Sequence, residues 1–131
     1  MQVDQAIAAA RHAFTFWATR AIIDREKVIR RFAQVLEQRR AELVSAICQE
    51  TGKPRWESNT EIDSMIAKAA ISIEARATRR QATETSAGGA ITAVRYKPLG
   101  VAAVLGPFNF PGHLPNGHIL PALLAGNTIV F

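Results

Sequence analysis

The sequence holds a single cysteine, Cys48, so no disulfide can form within the chain, and a reducing, cytoplasmic compartment is expected. It lacks an apolar run of the roughly 18 residues that a membrane-spanning helix needs, because Asn109, His113, Asn116 and His118 interrupt the longest candidate. The opening residues, Met1 to Gln5, have neither the basic nor the apolar region of a secretory signal. Neither glycine-rich phosphate cradle, G-x-G-x-x-G or G-x-x-x-x-G-K-[ST], occurs. Aromatic residues make up only 7% and do not interleave with the basic ones, which argues against a base-stacking nucleic-acid surface. His113 and His118 are five positions apart, whereas one helix face recurs every three or four, so paired metal ligation is not expected.

What is present fits one folded domain. The chain has 131 residues, 48% hydrophobic and 21% charged, far from the low-hydrophobicity, high-charge composition of disorder. Sixteen Lys and Arg against eleven Asp and Glu give a net charge of +5. The doublets Arg30-Arg31, Arg39-Arg40 and Arg79-Arg80 fall within or at the ends of helical segments with acidic neighbours, the pattern of solvated helix faces. Neither nucleic acid nor a membrane is therefore expected as a partner.

Residues 1–80 read as helical. Ile7, Ala10, Phe14, Trp17 and Ala21 form one apolar stripe at three- and four-residue steps. Asp24 is a candidate N-cap for a second helix, whose face Ile29, Phe32, Leu36, Leu43 and Ile47 continue until Gly52-Lys53-Pro54 stops it. A third helix carries Ile62, Met65, Ile66, Ala69 and Ile73 inward, with Arg76, Arg79 and Arg80 at its carboxyl end, where cations suit the helix dipole. Residues 81–100 read as a linker and a strand. Gln81 to Ala90 is small and polar, with Gly88-Gly89 as a turn, and Ile91 to Tyr96 alternates as a strand before Pro98 and Gly100.

Residues 101–131 change period again. Val101 to Leu105 reads as a strand buried on both faces, Pro111 to Ala125 as a helix that Pro121 should kink, and Thr128 to Phe131 as a second strand after Gly126-Asn127. That order is a βαβ unit of an open α/β sheet. Its uncovered apolar strand leads to the expectation that the sequence is truncated.

Ligands of open α/β sheets bind beyond the carboxyl ends of the strands, which points to the loop Gly106-Pro107-Phe108-Asn109-Phe110-Pro111. Two prolines restrain the backbone around Asn109, whose amide carries two N–H donors able to face a developing negative charge; closing a turn is the alternative role. Cys48, next to Ile47 in a helical stretch, reads as a structural thiol rather than a nucleophile. Glu50 and Glu57 show no paired geometry.

The stretch from Pro98-Leu99-Gly100-Val101 through Leu105-Gly106-Pro107-Phe108-Asn109-Phe110-Pro111, followed by Pro121 to Thr128, resembles the aldehyde dehydrogenase superfamily, as does Glu50-Thr51-Gly52-Lys53-Pro54. The resemblance covers nearly the whole chain. It implies amino-terminal helices and the first βαβ unit of a Rossmann-like cofactor-binding domain, with Ile91 to Lys97 as a strand that bridges to partner subunits in homodimers or homotetramers. The implied chemistry is oxidation of an aldehyde by NAD, with NADP left open, through a thiohemiacetal, hydride transfer and hydrolysis of a thioester. Asn109 matches the oxyanion-hole amide of the family. Leu105, Gly106, Pro107 and Phe108 match the segment along the cofactor, and Phe110, Leu114 and Gly117 match the aldehyde tunnel.

Phe110 to His118 most resembles the bacterial branch that acts on a succinylated glutamate semialdehyde in arginine catabolism. Gly117 stands where an aromatic is frequent, and the added room suits a long substrate. His118 replaces a frequent Lys, which leaves no proton-relay role assigned to it. The resemblance also implies that the family's catalytic Cys, general-base Glu, ribose-holding Lys and cofactor turn lie beyond Phe131. A non-catalytic helical interaction module derived from the family is the alternative reading.

Overall fold

The structure is a computed structural model and describes residues 2–131. Four helices come first: α1 (Gln2–Thr19), α2 (Ile22–Gln38), α3 (Arg40–Thr51) and α4 (Arg55–Arg79). A hairpin follows, β1 (Thr83–Ala87) and β2 (Ala90–Val94), and then β3 (Val101–Ala103), α5 (His113–Leu124) and β4 (Thr128–Val130). Strands β3 and β4 pair in parallel, with Val101 opposite Thr128 and Ala103 opposite Val130. The βαβ unit expected from the last third of the sequence is present, in a mixed α/β fold. Among the described residues no helix is long and apolar enough to cross a membrane.

Helix α4 is common to both halves of the core. Its Ala69 and Ile73 pack with Ile29 of α2 and Leu120 and Leu124 of α5, while its Ile62 and Met65 pack with Leu36 of α2 and Val44 and Ile47 of α3. Ile29, Ile62, Leu120 and Leu124 are essentially fully buried, each contributing about 1.5–3 kcal/mol of transfer free energy. Helix α1 closes over the parallel strands, where two polar bonds fix it. The Thr128 hydroxyl donates to the Ala10 carbonyl at 2.9 Å, and the Trp17 indole Nε1 donates to the Leu123 carbonyl at 3.0 Å.

Four local readings of the sequence are corrected. The expected second helix is two helices: the backbone breaks at Arg39 (φ −101, ψ 15), and Arg39 pairs with Glu42 while Arg40 pairs with Glu37, each on a different side of the break. Asp24 is not the N-cap. Ala21 occupies that position without a side-chain bond, and Asp24 lies in the first turn, paired with Lys27 at 3.1 Å. Residues 81–90 are not simply a linker, because Thr83 to Ala87 forms a strand against β2, in antiparallel register Thr83 opposite Val94. Its alternation is hidden because both faces are exposed, so no apolar period marks it. Finally, β3 is shorter than read and not buried on both faces: Val104 is buried just beyond it, but Leu105 is 93% exposed.

The turn into β4 is held by two residues. Gly126 has φ +92, a left-handed conformation that suits glycine, and a Cβ there would stand 2.7 Å from an Arg25 guanidinium nitrogen. Asn127 Oδ1 accepts from the backbone N–H groups of Leu99 (2.7 Å) and Gly100 (3.0 Å), which locks the entry of β3 to the entry of β4. Helix α5 runs through Pro121 to Leu124. Proline has no N–H, so the Gly117 carbonyl loses its helical donor at that point.

Candidate active site

The carboxyl end of β3 feeds residues 104–112, and α5 begins at His113. This connection has little regular structure of its own, so its position depends on what holds its far end. That anchor is Glu61 on α4. One carboxylate oxygen, Oε1, accepts from the backbone N–H groups of both Gly112 and His113 at 3.0 Å. These are donors that a helix start leaves without intrahelical partners, and a carboxylate also suits the positive end of the α5 dipole.

The other oxygen, Oε2, accepts from Lys53 Nζ at 2.8 Å. The Glu61 side chain has no exposed surface and that of Lys53 only 10%. Burial by itself would raise the Glu61 pKa, but Lys53 and the two backbone donors outweigh it and hold the carboxyl below its ordinary value. Lys53 Nζ also lies 3.6 Å from Glu57 Oε1 and 3.5 Å from the centroid of the Phe110 ring. The motif Gly52-Lys53-Pro54 therefore does more than end α3: it delivers a cation that touches the anchor and the loop together. Gly52 ends α3 at φ +74, and Pro54 is the residue before α4, which places Lys53 between the two helices.

Close packing completes the anchor. A Cβ on Gly112 would lie 2.5 Å from Met65 Sδ, so α5 approaches α4 as near as a bare backbone allows. The buried Asn116 side chain donates from Nδ2 to the Met65 carbonyl at 3.0 Å. Phe110 meets the His113 ring edge-on, with centroids 6.2 Å apart.

The sequence-predicted residues fall on the loop after β3 and on the start of α5. Leu105 and Phe108 are 93% and 90% exposed, and Gly106, Pro107 and Asn109 between or beside them are also exposed. Phe110 is half-buried through its contact with Lys53, Leu114 is exposed on the first turn of α5, Gly117 is half-buried one turn on, and His118 points into the open. Leu105 and Phe108 thus leave two bare apolar side chains flanking Gly106-Pro107 at the carboxyl end of the parallel strands, where open α/β sheets bind ligands. Cys48 is elsewhere: it is half-buried against the α3–α4 core, with Sγ 3.2 Å from Ser58 Oγ. Among the described residues no cluster of His, Cys, Asp and Glu could hold a metal.

Glu61, Asn116 and Asn127 were not singled out from the sequence. A signal existed for Glu61, since it sits four residues before Met65 and eight before Ala69, on a face of α4 whose other buried residues carry no charge. A carboxylate on such a face needs partners: Lys53 lies eight positions away, and the other two come from a segment some fifty residues away, with a separation of 51 for Gly112.

N-succinylglutamate 5-semialdehyde dehydrogenases of Chromobacterium violaceum and Chromohalobacter salexigens are 54% and 55% identical to the chain over 130 residues. Each alignment takes in 99% of this chain and 27% of the relative, so the chain spans about a quarter of their length. Among solved structures, an NADP-dependent glyceraldehyde-3-phosphate dehydrogenase from Bacillus halodurans superposes with a TM-score of 0.89 at 31% identity, over 99% of this chain and 29% of that one. Methylmalonate-semialdehyde dehydrogenase from Oceanimonas doudoroffii gives 0.90 at 30% identity, over 97% and 26%. The model of the aldehyde dehydrogenase family matches residues 1–131, and the chain belongs to that family.

Proposed function

We propose that this chain is the amino-terminal part of an NAD(P)-dependent aldehyde dehydrogenase that oxidises N-succinylglutamate 5-semialdehyde to N-succinylglutamate. The observation that carries the reading is an exposed Asn109 on a loop whose far end is fixed by a buried carboxylate. The identity to relatives bearing that substrate name supports the substrate. Asn109 donates an amide N–H to the aldehyde oxygen as it gains charge, an interaction stronger in the transition state than in the ground state. Leu105, Gly106, Pro107 and Phe108 bear the cofactor, which when bound supplies the hydride acceptor. Phe110, Leu114 and Gly117 line the path of the aldehyde. The parent assembles as a homodimer or homotetramer, with the strand around Ile91 to Lys97 contributing to the interface.

The test is cofactor reduction by a full-length polypeptide carrying this segment, given N-succinylglutamate 5-semialdehyde with NAD or NADP. Turnover is expected, and Asn109→Ala should lower kcat about 100- to 1000-fold, the cost of one oxyanion donor. The chain of residues 1–131 alone should give none. A single-turnover rate for Asn109→Ala within threefold of the parent would return Asn109 to the role of a turn residue.

A further inference from the structure

Beyond Gly117, the face shared by α4 and α5 opens into a groove of about 640 Å³. Six cations line it: Arg25, Lys68, Arg76, Arg79, Arg80 and Lys97. Among the described residues no Asp or Glu lines it, although the chain as a whole has eleven. So many positive groups together, uncompensated, attract an anion into the groove. Arg25 Nη1 donates to the Ala18 carbonyl at 3.3 Å, and its buried Nε has no hydrogen-bond partner among the described residues.

The inner end of this groove meets the proposed aldehyde path at a single point. Lys68 on α4 reaches across to α5 until its Nζ stands 3.3 Å from where a Cβ of Gly117 would be. Any larger side chain at 117 would begin in the space beside that ammonium. The bare backbone at 117 thus does something more specific than provide room: it lets a cation border the path. Phe110, Leu114 and Gly117 follow one another at four- and three-residue steps. With a rise of about 1.5 Å per residue, Gly117 lies roughly 6 Å along the axis from the start of α5. An anion at Lys68 would therefore belong to a substrate whose charge is several bonds from its aldehyde carbon.

We propose that Lys68, exposed by the missing side chain at Gly117, is the specificity residue that receives a carboxylate of the aldehyde substrate, with the basic groove behind it drawing anionic aldehydes in. This rests on the function proposed above and adds to it the residue that selects for charge. Lys68 acts in binding, at a distance from the reacting carbon, so its effect belongs in KM.

The experiment compares 5-oxopentanoate with pentanal, which match in chain length and differ in the carboxylate, using the full-length polypeptide with Lys68 intact, Lys68→Met and Lys68→Arg. The ratio of kcat/KM for 5-oxopentanoate over pentanal should fall about 10- to 100-fold in Lys68→Met, mainly through KM, as for one charged hydrogen bond lost. Lys68→Arg should restore most of it. A ratio that shifts by less than about threefold, or a parallel fall for both aldehydes, overturns the assignment. Calorimetry with glutarate keeps the two proposals apart. Should the parent oxidise neither aldehyde, the proposed function fails, and glutarate still decides Lys68: binding weakened about tenfold or more by Lys68→Met upholds the anion site, and equal or absent binding refutes it.

Discussion

Removing the Glu61 carboxylate is the perturbation that most directly tests how the loop is held. In Glu61→Ala three contacts disappear: two from the backbone N–H groups of Gly112 and His113 at 3.0 Å and one from Lys53 at 2.8 Å. Hydrogen bonds to a charged group contribute about 1.5–3 kcal/mol each, but such contacts are not additive within one network. Breaking a buried ion pair by deleting one partner costs about 3–5 kcal/mol, because the remaining charge is stranded. Lys53 here keeps Glu57 at 3.6 Å, on a carboxylate that is partly exposed, so the lower end, about 3 kcal/mol, applies. Glu61→Gln should cost less, about 2 kcal/mol, since its amide oxygen still accepts from α5 while its NH2 faces the Lys53 ammonium.

Amide hydrogen exchange reads this site directly. Gly112 and His113 should exchange on the order of 100-fold faster in Glu61→Ala, with smaller changes at Ile29, whose cluster does not include α4 residue 61. The pH dependence has a defined sign. Because the folded carboxyl is held below its ordinary value, it stabilises above the unfolded glutamate pKa of about 4.3, and that contribution is lost as pH falls through the folded value. The variant should lack this acid-side loss of protection. Exchange at both amides within threefold of the parent would show that Gly112 and His113 are held by something other than Glu61.

Two further outcomes are expected. Gly112→Ala, placing a Cβ 2.5 Å from Met65 Sδ, should destabilise by about 1–3 kcal/mol in urea unfolding, and Met65→Ala should lessen that penalty in the double variant; independent, additive effects would refute the close-packing account. Residues 1–131 on their own should self-associate in light scattering, since β2 exposes Ile91 (68%) and Val94 (50%) and the β3–β4 pair has free edges; a monodisperse monomer would count against this.

Features governed by local chemistry were legible in the sequence. Gly52-Lys53-Pro54 ends α3 because a left-handed residue followed by proline cannot propagate a helix, and Gly88-Gly89, at φ +58 and +79, makes the hairpin turn that the pair announces. The break at Arg39 was not legible, since no glycine or proline marks it and the apolar face continues across it. Strand β1 was hidden for a different reason: Thr-Glu-Thr-Ser-Ala buries neither face, so only its partner β2 makes it a strand. The loop 105–111 could be placed between β3 and α5 because Gly106-Pro107 and Pro111 interrupt the apolar period there. Its anchor could not, because the Glu61 contacts that reach the loop, from Gly112 and His113, span more than fifty positions and no local period encodes them.

That difference bears on how an oxyanion donor at Asn109 could work. A donor on a loop lowers a barrier only if it is held in place before charge develops, since reorienting it during the reaction would consume the gain. Asn109 sits on an exposed turn, so the rigidity must come from its two sides. On one side the chain leaves β3, whose neighbour β4 still binds Val104 through its backbone N–H at 2.9 Å to the Val130 carbonyl. On the other, Gly112 and His113 are bound to Glu61 and Phe110 lies under Lys53. Five residues lie between the fixed points at Val104 and Phe110, and Pro107 removes one of the free φ angles in that stretch, while Pro111 removes another just beyond it. The strands thus place the loop and the helical layer stiffens it. Under the proposed function the Lys53–Glu61 pair, which holds Gly112, His113 and Phe110, positions the Asn109 loop: its loss should lower kcat without the change in charge preference expected of Lys68 variants.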